Sequence, residues 1–157
     1  MHKSTMALGG ALILLTLTAV LFLAGGTLSA RMERVTANAA DYPSAFAAIR
    51  EVVDSGGAPQ SLGESLPEDP ARCRLEDVTL SLYNPGLVSA EWVSVTVQPL
   101  PGDVAVYSVT GEGDTVPARS TGTVNLKLVS ASGAGEIRTY IIEYYVFGMK
   151  RTVRLTA

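Results

Sequence analysis

"LSLYNPGLVSAEWVSVTVQPLPGD", residues 80–103, holds two apolar runs broken by Asn84-Pro85-Gly86 and again by the Pro99–Asp103 stretch. Upstream of the first break, Val78, Leu80 and Leu82 alternate with Thr79, Ser81 and Tyr83. Downstream, Val93, Val95 and Val97 alternate with Trp92, Ser94, Thr96 and Gln98. A period of two is that of a strand with one face buried and one wet. The breaks supply what turns need: Pro presets φ, Gly tolerates φ > 0, and Asn or Asp bonds its own backbone. Both breaks are therefore expected to be strand connections rather than a ligand site, with Gly86 at positive φ after Pro85.

Working outward, the same grammar continues to the end of the chain. Val104–Thr110 reads as a strand with Val106 and Tyr107 on opposite faces, and residues 111–114, GEGD, as a turn. Thr115 and Val116 are cut short by Pro117, which suits only an edge. Val124, Leu126 and Leu128 define the next strand, and residues 130–136, SASGAGE, a loop. Tyr140, Ile142, Tyr144 and Val146 form one face of a long strand whose other face has Ile141, Glu143 and Tyr145. A Gly148-Met149-Lys150 connection leads to a final strand with Val153 and Leu155. This predicts about seven strands and an antiparallel sandwich of the immunoglobulin or fibronectin kind over residues 74–157.

The amino-terminal part is different. From Ala7 to Leu28 there is no charge over 22 residues, enough helix to span roughly 33 Å at 1.5 Å per residue. The run is long for a signal peptide, and Leu28-Ser29-Ala30 is a poor cleavage site. Residues 1–30 are therefore expected to be an uncleaved transmembrane anchor. His2 and Lys3 before it and Arg31 and Arg34 after it nearly balance, so flanking charge does not fix orientation. Residues 31–157 are expected outside the cytoplasm.

Met32 and Val35 continue a helical spacing, so residues 31–57 read as a helical stalk, kinked or ended at Pro43. Phe46, Ile49 and Val53 mark one face of a second short helix, Arg50 and Asp54 an i,i+4 pair, and Gly56-Gly57 a stop. That helix is expected to dock on the outer domain. Residues 58–73 read as a linker. Glu64, Glu68, Asp69, Glu76 and Asp77 read as the charge of a solvated spacer.

Several chemistries are excluded by composition. His2 is the one histidine and Cys73 the one cysteine, so a histidine-based triad in the outer domain and a His/Cys zinc site are ruled out. A disulfide framework is ruled out too. Cys73 reads as a small buried thiol, with an intermolecular bridge as the alternative. There is no phosphate-loop, nucleophile-elbow or dinucleotide fingerprint. Net charge is −3 with no basic run, which argues against nucleic acid. Glu112 and Asp114 share a loop that reads as a solvated turn, with calcium as the alternative. No cofactor is expected.

What remains is recognition. Trp92 is read either as packed under a loop or as an exposed anchor, because interface hot spots are rich in Trp, Tyr and Arg. With Tyr145 it would form an apolar patch. Lys150, Arg151 and Arg154 make a basic carboxy-terminal end that guards an edge strand or meets an acidic partner.

Residues 78–100, VTLSLYNPGLVSAEWVSVTVQPL, followed by 115–128, TVPARSTGTVNLKL, resemble the water-stress (late-embryogenesis-abundant type) domain, although Gly86 stands where that family usually has a second Asn. The apolar helix, stalk and β-sandwich order is also similar to accessory proteins of the archaeal rotary filament and, loosely, to pilin-like subunits. Both resemblances imply a non-enzymatic envelope protein. The expected function is a membrane-anchored, extracytoplasmic, non-catalytic structural or binding module. The alternative is a subunit of a surface filament or secretion assembly, with Gly9, Gly10, Gly25 and Gly26 allowing close helix packing. Expected partners are the lipid bilayer and an envelope protein or glycan, with self-association left open.

Overall fold

A computed structural model describes residues 14–20, 26–111, 114–135 and 137–157. Among them are eight strands: β1 (Ser29–Asn38), β2 (Gln60–Ser61), β3 (Cys73–Tyr83), β4 (Glu91–Val97), β5 (Asp103–Gly111), β6 (Thr121–Ala131), β7 (Thr139–Val146) and β8 (Met149–Thr156). The strands form two antiparallel sheets, one ordered β1-β3-β6-β5-β2 and the other β4-β7-β8. Helix α1 (Pro43–Asp54) lies between β1 and β2.

The alternation seen in the sequence decides which side chains meet between the sheets. Val78, Leu80 and Leu82 of β3 and Leu126 and Leu128 of β6 face Val97 of β4 and Tyr140, Ile142, Tyr144 and Val146 of β7, all buried in one cluster. A shift of one residue in any register would turn these side chains to water, so the pairing is strongly specified.

The breaks at 84–86 and 99–103 are strand connections, as expected. Asn84 is buried, and its amide donates to Val88 O at 2.9 Å and Val116 O at 3.0 Å while its Oδ1 accepts from Gly86 N at 2.9 Å. Gly86 itself does not take a positive φ. The left-handed glycine is Gly102 at +88°, following Pro101 in a turn closed by Asp103 N donating to Leu100 O at 3.0 Å. That combination is a type II turn.

The expected stalk is corrected. Residues 29–38 are strand β1, paired with β3 from Ser29↔Tyr83 to Asn38↔Arg74. Met32 does face inward, but with period two. In β1 the apolar residues were too few to separate the two periods, and pairing with β3 decides between them. The sandwich therefore begins at Ser29 and not at residue 74. The second helix is present, and docks as expected: Phe46 and Ile49 of α1 pack with Cys73, Val104, Ala105 and Val129 on the outer side of the larger sheet. Burying two such side chains contributes about 1.5–3 kcal/mol each.

The segment 58–73 is likewise no free linker. Gln60 and Ser61 pair with Val106 and Ala105, Leu62 is buried, and Pro70–Arg72 form a 3-10 turn capped by Asp69. Arg50 donates to the carbonyls of Pro67 and Glu68, each at 2.9 Å, and lies over the Phe46 ring.

Of the expected span Ala7–Leu28, residues 7–13 and 21–25 lie outside the described residues. Residues 14–20 are helical and exposed. Among the described residues no helix is long and apolar enough to cross a membrane. The far end of the expected span is not helical: Leu28 is buried, and its N–H donates to the Tyr144 hydroxyl at 3.1 Å.

Candidate functional site

The outer face of the larger sheet is partly covered by α1. The outer face of the β4-β7-β8 sheet carries no such cover among the described residues. Its side chains fall in cross-strand rows set by the register: Tyr145 opposite Lys150, Glu143 between Ser94 and Thr152, and Ile141 between Thr96 and Arg154.

Trp92 completes the first row through an irregularity. The β4–β7 register shifts between Glu91 and Ser94, and Trp92 sits in the left-handed region at φ +49°. This is a bulge, which inserts a residue and re-aims a side chain. Glu91 and Trp92 consequently both face outward. Trp92 is 62% exposed and is not packed under a loop. Its ring meets Tyr145 edge to face, with centroids 5.3 Å apart at 73°. A non-glycine residue in this region carries a conformational cost.

The structure thus brings together four of the five residues singled out from the sequence: Trp92, Tyr145, Lys150 and Arg154. Lys150 Nζ lies 2.8 Å from Glu143 Oε1, and this hydrogen bond holds the ammonium above its ordinary pKa. Arg154 is exposed beside Ile141. Arg151 points elsewhere, to the other side of β8, where its Nη1 donates to Gly26 O at 2.8 Å. It clasps the chain where β1 is approached. The face is amphipathic, with an aromatic pair and Glu91 at one end, cations along β8 and Glu143 between Lys150 and Arg154. It offers stacking, cation–π and hydrogen-bonding contacts, and no nucleophile–base pair.

A second charged group was not legible as such. Arg138, Glu76 and Asp103 are fully buried together. Arg138 Nη2 donates to Glu76 Oε1 at 3.0 Å, Nε to Glu76 Oε2 at 3.3 Å, and Nη1 to Asp103 Oδ2. Burial alone would pull the guanidinium pKa down; the hydrogen bonds it donates to Asp103 and Glu76 outweigh that and hold the pKa above the ordinary value. Glu76 is therefore corrected from spacer charge to core charge. The signal was present: Glu76 is in phase with Val78, Leu80 and Leu82, the buried face of β3. Nothing in the sequence pointed to Arg138 as its partner. The cluster is closed to solvent and acts as a lock between β3, β5 and the approach to β7.

Cys73 is free and fully buried beneath α1, and burial raises its pKa. That fits the buried-thiol reading and leaves no surface sulfur for a bridge. Asp114 is exposed and its carboxylate accepts from Thr115 Oγ1 at 3.3 Å, while Glu112 lies outside the described residues. No group of three or more metal-ligating side chains occurs among the described residues.

No family model matches the chain, and no curated protein matches it.

Proposed function

We propose that this chain is a non-catalytic binding module of the cell envelope, held at a membrane by the part of its uncharged run that precedes Gly26, with its sandwich outside the cytoplasm. The strand order supports an immunoglobulin-like reading: β1-β3-β6-β5 facing β4-β7-β8 corresponds, strand for strand, to the ABED and CFG sheets of constant-type domains. The single observation that carries the binding role is the exposed Trp92–Tyr145 pair, presented by a left-handed bulge on a sheet face that no helix among the described residues covers. Aromatic side chains held rigid at the surface and flanked by cations are what protein and glycan partners select.

The alternative, a filament or secretion-assembly subunit, draws on the glycines of the apolar run. Gly26 is already engaged with the sandwich through Arg151 and so does not serve helix packing, which favours the first reading.

The test is a photo-cross-linking amino acid placed at Trp92, in the full chain in its native envelope, with one at exposed Val35 for comparison. Adducts of discrete mass from position 92 and not from 35 are expected. Absence of adducts at position 92 overturns the binding role. Release of the chain by alkaline carbonate overturns the anchor.

A further inference from the structure

We propose that the end of the sandwich where the chain arrives from residues 1–25 lies directly on a lipid bilayer, with Phe147, Met149 and Leu87 immersed at its surface. The inference rests on the proposed anchor and adds what the head does once anchored.

The first observation is the missing spacer. The uncharged run that begins at Ala7 continues in sequence to Leu28, but Gly26 is already fixed to the sandwich. Its carbonyl accepts from Arg151, and its α-carbon is packed so closely that a Cβ there would lie 2.8 Å from Gly86 N. With β1 starting at Ser29, no stalk separates the apolar run from the head. If the run is in a bilayer, this end of the sandwich is within a few residues of its surface.

The second observation is what stands at that end. Leu87 adjoins Gly86, against which Gly26 packs, and is 61% exposed. Phe147 and Met149 form the tip of the β7–β8 hairpin, two positions before Arg151, and are 49% and 45% exposed. Thr27, Met149, Lys150, Arg151 and Thr152 line an open cavity of about 400 Å³ beside them. Hydroxyls and cations around apolar tips suit phosphate headgroups above acyl chains. Among the described acids, Glu143 pairs with Lys150 at 2.8 Å, while Glu91 and Asp114 are exposed away from the cavity lining.

The third observation is conformational. Phe147 and Gly148 have φ of +52° and +70°, the pair of left-handed residues of a type I′ turn. That turn favours Asn or Asp before Gly, and a large apolar residue there is strained and projects into solvent. Phe147 is left 49% exposed at the tip, where a lipid surface would cover it. Trp92 and Tyr145, one step further from the tip, then stand at headgroup height, where amphipathic aromatic rings collect.

The test uses the full chain in vesicles of phosphatidylcholine and phosphatidylglycerol, with acyl chains brominated near the glycerol backbone. Trp92 is the one tryptophan, so Trp92→Phe leaves a silent background. In it Phe147→Trp reports on the proposed contact, Met149→Trp serves as a second reporter should the first fail to fold, and Ile137→Trp reports from the opposite end. Ile137 is also exposed, so it controls for mere apolarity. We expect the chain to float with the vesicles and the bromines to quench about half of the hairpin-tip emission while leaving position 137 nearly unchanged. A floating chain with an unquenched tip overturns this proposal and leaves the anchor standing, as does equal quenching at both ends. A chain that does not float overturns the anchor, and this proposal with it.

Discussion

The side-chain amide of Gln60 grips the backbone of Val97 at both of its polar groups: Nε2 donates to the carbonyl at 2.6 Å and Oε1 accepts from the N–H at 2.9 Å. Gln60 is in β2, the last strand of the larger sheet, and Val97 in β4, an edge of the smaller one. One side chain thus imitates a strand across the seam between the sheets and satisfies a buried edge residue. Gln60→Leu should lower unfolding free energy by about 1–3 kcal/mol, because both Val97 groups lose their partner. Gln60→Glu keeps the acceptor and loses the donor, so its urea midpoint should fall between those of the parent and Gln60→Leu. An unchanged midpoint in Gln60→Leu would show the seam to be held by packing alone.

Arg138 is the shared cationic partner of two buried carboxylates, Glu76 and Asp103. Arg138→Met should leave Glu76 and Asp103 uncompensated and destabilise by about 3–5 kcal/mol. Adding Glu76→Leu and Asp103→Asn should recover most of that loss, since the remaining groups are apolar or neutral and Asn still accepts at the Asp103 position. There Oδ2 also receives Leu100 N at 3.0 Å. Denaturant titration of the single and triple variants distinguishes charge compensation from shape. A triple variant no more stable than Arg138→Met points to shape.

These two contacts show where sequence reading stops. Alternation placed the inner faces of β3, β4, β6 and β7, because a half-buried strand must repeat every two residues. It put Trp92 and Tyr145 on outer faces and read Lys150, Arg151 and Arg154 as a basic end; the register of β4, β7 and β8 is what joins four of the five on one surface. It missed β1, where Arg31, Glu33 and Arg34 interrupt the apolar positions and mimic a helix face. It missed Glu76, a charge in phase with a buried face, since its partner lies 62 residues away. The seam contact of Gln60 was equally hidden, in a segment whose Gly, Pro and Ser content reads as linker. The bulge that exposes Trp92 depends on pairing with β7, a long-range fact with no local signature.

Phe147 should cost the fold stability. Replacing it with Asn, which enters the left-handed region readily, should raise unfolding free energy by about 1 kcal/mol. The melting temperature, read in detergent where no bilayer contact contributes, is the measurement. A lower melting temperature would mean that the ring packs on the sandwich despite its exposure, and would remove the conformational part of the argument for a membrane-facing tip.

Tyr140 should set part of the alkaline limit. It is fully buried, burial raises its phenol pKa above the ordinary value of 10.0, the charge of Glu76 raises it further, and its hydroxyl has no hydrogen-bond partner among the described residues. The folded state therefore holds the proton more tightly than the unfolded chain does. Its contribution to stability is fully present below pH 10 and is lost as pH rises through the folded value, at up to about 1.4 kcal/mol per pH unit for one proton. Tyr107, raised mainly by burial, and Cys73, raised by burial from 9.0, act in the same direction. Tyr140→Phe removes one of these protons and one unsatisfied hydroxyl. It should leave stability at pH 7 unchanged or higher, and flatten the fall above pH 10 by one proton's slope. Urea midpoints between pH 7 and 11 measure both effects. A fall as steep as the parent's would mean that Tyr140 binds its proton equally in the folded and unfolded chain, and that other groups drive alkaline unfolding.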